Sequence, residues 1–296
     1  MRLAFLAPAL ALTLAASVAQ AQMVYIPTTP TIRLLPTNGT SFAETTGARG
    51  SVTTAPDRPI ATVSALSMFA LGFENGDHKF RRIQVLPNGA SARFALNDLG
   101  DDDPFTARAR WVNIVGGSAH SVTANSGGGV IAQVAITAAP ANHTFVLRGF
   151  EFRRAAGTDA NIRAMSINLA PAGDMLEITL VDDERLDLRP RRAVGRSGPD
   201  VGRRYTVVVQ YAWVPNTAIA ARGTITGSER GRDTARVPAG LAAIQGFSFN
   251  FGNSDHHLLT AAIDLNDDGG SAKFQDNNLD DPMRYEVRYV TLHGPT

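Results

Sequence analysis

Two stretches of this chain carry a histidine and a set of carboxylates in the same order. Asp77-His78 is followed by Asp98, Asp101, Asp102 and Asp103, and Asp255-His256 is followed by Asp276, Asp280 and Asp281. Clustered carboxylate oxygens hold hard cations such as calcium, and Asp and His side chains hydrogen-bond the hydroxyls of sugars. The same residues also suit plain turns, because an Asp side chain bonds the backbone two residues on and Asp-Asp-Pro ends one strand before the next. Both readings stand at this point. A third acidic stretch, Asp264-x-Asn266-x-Asp268-Gly269, fits the first half of a calcium loop, with alternating oxygens and a glycine for the sharp turn. Its twelfth position is Gln275, so the bidentate glutamate is missing and a solvated hairpin turn is the competing reading.

Catalytic signatures are scarce. The chain has no His-Glu-x-x-His, no Gly-x-Ser-x-Gly, no Gly-x-x-x-x-Gly-Lys and no cysteine. Gly127-Gly128-Gly129 reads as a linker, because no helical pattern follows it. Paired carboxylates cleave glycosides in principle, but turn-borne aspartates in small repeats lack the cleft such enzymes use. We therefore expect no enzyme, with a glycoside hydrolase as the least favoured reading. Residues 185–204 hold seven arginines against Asp187 and Asp200. Such a segment either grips an acidic partner or keeps a sheet edge from pairing with other chains.

The elements that position these groups recur. Phe69-x-Leu71-x-Phe73, Asp77-His78, Ser91-Ala92-Arg93-Phe94, Asp102-Asp103-Pro104 and Arg110-Trp111-Val112 return as Phe247-x-Phe249-x-Phe251, Asp255-His256, Ser271-Ala272-Lys273-Phe274, Asp280-Asp281-Pro282 and Arg288-Tyr289-Val290. A divergent copy lies between them. Gly149-Phe150-Glu151-Phe152 matches Gly246-Phe247-Ser248-Phe249, Asp159 takes the place of Asp77, and Ala160 replaces the histidine. A duplicated unit means the fold must be argued per unit.

Each copy reads as four strands. In the first these are 68–73, 79–86, 92–96 and 105–114, with Asn88-Gly89 predicting a type I′ hairpin. In the divergent copy, 162–169 and 176–183 are its second and third strands and 205–211 its last. If the four strands form a meander, turns one and three share an end of the sheet, so each histidine meets its aspartates at one rim. Further strand-like runs at 130–136, 144–147, 218–225 and 235–237 would complete small sandwiches. The expectation is an all-β chain of tandem antiparallel β-sandwich modules, two clear and one divergent.

Composition bounds the rest. Arg2, the apolar run from Leu3 to Val18 and Ala19-Gln20-Ala21 form a secretory signal over residues 1–21. Residues 22–58 are rich in Thr and Pro and read as an extended arm, with modules at 59–125, 126–217 and 218–296. The absence of cysteine means that an exported chain holds together by packing or bound ions. The net charge of +1 falls to zero when Arg2 is removed, so no global field favours nucleic acid or anionic membrane. The expected location is secreted or periplasmic, without membrane insertion.

With Phe69 and Phe73 before Trp111, and Phe247 and Phe251 before Tyr289, the unit resembles the H-type lectin domain. That domain is a compact antiparallel sandwich of about six strands with an aromatic residue in its closing strand. The unit departs from it in lacking the tryptophan before the last turn. The resemblance implies a carbohydrate or cell-surface ligand. It also implies an internal counterpart of the trimers such lectins form. The rival expectation is a structural, self-associating envelope or extracellular-matrix protein whose acidic turns only shape loops.

Overall fold

The computed structural model describes residues 39–73, 80–98, 103–126, 132–154, 162–182, 205–227, 232–235, 241–251, 258–266, 269–276 and 283–293. Eighteen strands fill most of them. The first six are β1 (Thr40–Ala48), β2 (Ser51–Thr54), β3 (Ser64–Phe73), β4 (Phe80–Asn88), β5 (Ser91–Asp98) and β6 (Phe105–Asn113). The next six are β7 (Ser118–Ser126), β8 (Ala132–Ala135), β9 (His143–Arg154), β10 (Ile162–Leu169), β11 (Met175–Asp182) and β12 (Tyr205–Pro215). The last are β13 (Ile219–Gly227), β14 (Arg232–Ala235), β15 (Leu241–Phe251), β16 (Leu258–Asn266), β17 (Gly269–Asp276) and β18 (Met283–Leu292). The fold is all-β, and its sheets are antiparallel.

The strands pair into three sheets of six with one shared rule. Sheet I runs β1-β6-β3-β16-β17-β14, sheet II runs β7-β12-β9-β4-β5-β2, and sheet III runs β13-β18-β15-β10-β11-β8. Counted in sixes along the chain, each sheet takes the first, sixth and third strands of one set. It adds the fourth, fifth and second strands of another. The seams between sets are β3–β16, β9–β4 and β15–β10.

This differs from the simple meander. The motif strands β3 and β6 pair with each other, while the β4–β5 hairpin crosses into sheet II. Segments 59–125, 126–217 and 218–296 therefore share sheets and a core instead of standing as separate sandwiches. The arm is also partly structured. Residues 40–48 and 51–54, within 22–58, are edge strands β1 and β2, paired to β6 and β5. Edge strands pack on one side only, so they tolerate the Thr- and Ser-rich composition that reads as arm. The hairpin at Asn88 differs in type. Asn88 pairs with Ser91, which leaves Gly89 and Ala90 as the central residues, and only Gly89 has positive φ (59°). Glycine at the first central position makes a type II′ turn.

The third strand of each set carries a bulge at the same place. The register skips Ser67, Arg148 and Gln245, and this reverses which face the next residues line. Before the bulge, Ala65, Val146 and Ala243 pack in a small cluster with Val112, Ala212 and Val290. After it, Phe69, Phe150 and Phe247 enter the main core. These three rings meet one another, with centroids 5.2, 5.4 and 5.6 Å apart. They are the Phe of each repeated motif, brought onto a common axis. The bulge residues tie the sets together: the Trp111 Nε1 donates to the Arg148 carbonyl at 2.8 Å, and Gln245 Nε2 donates to the Phe145 carbonyl at 3.0 Å. Burial lowers the Arg148 guanidinium pKa from its usual value. At the seams the backbones approach closely, because Gly149 and Gly246 follow the bulges. A Cβ on Gly246 would sit 2.7 Å from the Ile167 carbonyl oxygen, and one on Gly149 would strike the Val85 carbonyl.

Candidate functional site

The inner faces of the sheets are packed, so any ligand must meet a rim or an outer face. At the rims, the strand ends that flank the acidic connections are neighbours. Phe80 pairs with Asp98 and Phe73 with Phe105; in the third set Leu258 pairs with Asp276 and Phe251 with Met283. Asp98 and Asp103 lie there and are engaged with other groups. Asp77, His78, Asp101, Asp102, Asp255, His256, Asp280 and Asp281 lie outside the described residues, as do the signal segment and 185–204. Of Asp276 and Asn266 only the backbone is described.

The third acidic stretch is a hairpin in its described part. Asp264 pairs with Ser271 and Asn266 with Gly269, so two residues intervene, and Asp268, one of them, lies outside the described residues. Asp264 is 3.6 Å from Arg110 on β6, so its carboxylate already faces a cation. Among the described residues no three His, Asp or Glu side chains converge to hold a metal.

The aromatic residues that carry the lectin resemblance are core residues. Phe69, Phe73, Trp111, Phe247, Phe251 and Tyr289 are all buried. Among the described residues no aromatic side chain is exposed, and Phe42 is only half-buried. The described outer surfaces therefore offer hydrogen-bonding and charged groups, and no exposed Phe, Tyr or Trp ring.

The three outer faces share a backbone plan but differ at their centres, which makes each a control for the others. The residue between the two inward-facing positions of the motif strand points outward. It is Ala70 in sheet I, Glu151 in sheet II and Ser248 in sheet III. Its seam partner is Ala262, Gln84 or Ser166 respectively.

Sheet II fills its own centre. Arg82 Nε donates to Glu151 Oε1 at 2.9 Å and Gln84 Nε2 donates to Oε2 at 3.0 Å, with Arg153 Nε 3.9 Å from Oε1. Glu151 and Gln84 are buried within this network. A buried carboxylate needs such partners, because desolvation without them is costly.

Sheet III leaves its centre open. The row Thr226–Glu286–Ser248–Ser166–Thr179 crosses five strands, about 19 Å at ordinary strand spacing. Short side chains along this row leave a shallow, open groove of about 430 Å³, with Asn250 and Arg284 at one margin. Asn168 and Glu177 continue the polar surface one row away. Hydroxyls, an amide, a carboxylate and a guanidinium thus line one surface, offering both donors and acceptors. Glu286 is held by Arg288 Nε at 2.6 Å.

Sheet I is open and basic. Its groove, about 120 Å³, is floored by Ala70 and Ala262 and flanked by Arg108 and Lys273, with Ser271 and Asp264 also lining it. These outer positions escaped the sequence reading because their neighbours are set by seams between sets. The available signal was the aligned triplet Ala70, Glu151, Ser248, which varies where its flanking residues stay apolar.

Neither a protein-family model nor a curated protein matches this chain.

Proposed function

We propose that this is a secreted, non-catalytic binding protein that takes polyhydroxylated ligands, glycans, on the outer face of sheet III. One observation carries the reading: of three equivalent faces, sheet II is plugged by Glu151, Gln84 and Arg82, whereas sheet III keeps an open floor of Ser166 and Ser248. Short hydroxyl side chains bordered by Asn250, Arg284 and Glu286 match the alternating donor and acceptor pattern of a sugar ring. The H-type lectin resemblance supports it too, since sheets shared between sets around an aromatic axis have the character of a fused trimer. The non-catalytic part rests on the placement of the acids. Glu286, the acid that borders the groove, is held by Arg288, and Glu177 stands three strands away, beyond the residues that line it.

The test is a glycan array probed with the mature protein and with Ser248→Glu, which copies the sheet II residue into sheet III. The reading expects a defined set of bound glycans and their loss in the variant. An identical profile for both proteins removes sheet III as the site. An empty array with a self-associating protein turns the account toward the structural alternative.

A further inference from the structure

We propose that the outer face of sheet I is a second site, which takes the carboxylate of an acidic saccharide; the saccharide part rests on the glycan reading above. Sheets I and II differ at matching positions. In sheet II the central outward residue is a carboxylate, Glu151, and nitrogen donors converge on it. In sheet I the same position is Ala70, and its seam partner is Ala262 instead of Gln84. The sheet II cations are gone too, with Thr260 and Gly72 at the positions of Arg82 and Arg153, but two other cations flank the gap. Arg108, the cross-strand neighbour of Ala70, stands on one side, and Lys273, the neighbour of Ala262, stands on the other.

Among the described residues, neither Arg108 nor Lys273 has a carboxylate within ion-pair distance, while Arg110 is matched by Asp264 at 3.6 Å. Glu44 flanks Arg108 from the edge strand, on the side away from the groove. Among the described residues the face thus presents two cations without a carboxylate partner, across a groove of about 120 Å³ floored by Ala70 and Ala262 and lined as well by Ser271 and by Asp264, which faces Arg110. That space suits one carboxylate group and its attachment point, with the rest of a sugar lying along the sheet. An external carboxylate would occupy the place that Glu151 fills internally in sheet II. Charge-assisted hydrogen bonds from Arg and Lys are the strong kind, and those of an open groove weaken with salt.

The experiment is a calorimetric titration of the full mature protein with sodium glucuronate, glucose and sodium sulfate. It uses the wild type, Arg108→Gln/Lys273→Gln and Ala70→Glu. The proposal expects glucuronate to bind more tightly than either glucose or sulfate. It expects a loss of about tenfold or more in the double variant and in Ala70→Glu, where the internal carboxylate competes. Melting temperatures should stay near wild type, because every substituted position faces outward. Equal binding of sulfate and glucuronate overturns the saccharide assignment. Glucuronate binding unchanged in both variants overturns the site. If neutral glycans still bind through sheet III in that case, the proposed function stands and only this inference falls. If no saccharide binds at all, the glycan reading itself has failed.

Discussion

The phenyl rings on the axis offer the sharpest test of how the chain is held together. Phe247 is fully buried and touches both Phe69 and Phe150, at 5.6 and 5.4 Å between centroids. Truncation to alanine removes a buried ring from a packed core, which costs about 3–5 kcal/mol. A chain of this size loses about 2–4 °C per kcal/mol, so Tm should fall by about 6–20 °C. The trio also predicts a coupling. Phe69→Ala removes two ring pairs and Phe247→Ala three, and the two single variants between them count the one shared pair twice. Phe69→Ala/Phe247→Ala should therefore cost less than the sum of its parts by about 0.5–1.5 kcal/mol, the worth of one aromatic pair. The assay is urea unfolding followed by tryptophan fluorescence and far-UV circular dichroism. Trp111 and Trp213 lie in the first and second sets of strands, and Phe247 lies in the third. Single-tryptophan variants should both report the lowered midpoint. A midpoint at either tryptophan that ignores Phe247→Ala would mean that the sets unfold independently, and the shared-core argument would be refuted.

Three smaller perturbations follow from the same geometry. Gly149→Ala should destabilise by about 1–3 kcal/mol, read as a urea midpoint, because its Cβ meets the Val85 carbonyl at the β9–β4 seam; a neutral result would show that the seam has slack. Glu151→Ala should cost about 1–3 kcal/mol by stranding Arg82 and the buried Gln84 amide, and pairing it with Gln84→Ala should recover part of that loss. Chelation with EDTA should leave Tm within about 1 °C, since Asp264 already faces Arg110; a drop of several degrees would restore calcium as a structural partner.

How much of this was legible in the sequence depended on range. Hairpins were readable, because β4–β5 pairs locally through Gly89 and Ala90, and the alternating burial of β6 follows its sequence pattern. The strand Ile162–Leu169 was placed to the residue. Sheet membership was not readable. Strands β3 and β4 belong to different sheets, and no residue of the sequence between them distinguishes a crossing from a turn. The bulges at Ser67, Arg148 and Gln245 were hidden for a related reason: each flips the inward parity without disturbing the motif around it. Strands β1 and β2 were missed because edge strands rich in Thr and Ser lack the apolar alternation that marks buried ones. The histidine-bearing rims were chosen by residue type. The outer-face residues Ser166, Ser248, Ala70 and Ala262 are chemically ordinary alone, and gain meaning only when the seams set them side by side.

The central claim is that an open polar face on sheet III binds a glycan where sheet II is plugged. Its most direct test grafts the plug. Ala164→Arg, Ser166→Gln and Ser248→Glu place the sheet II trio at the matching positions of sheet III. Titration calorimetry of wild type and triple variant, against the tightest glycan from the array, should show binding weakened about tenfold or more with Tm almost unchanged. Undiminished affinity in a folded triple variant would contradict the account.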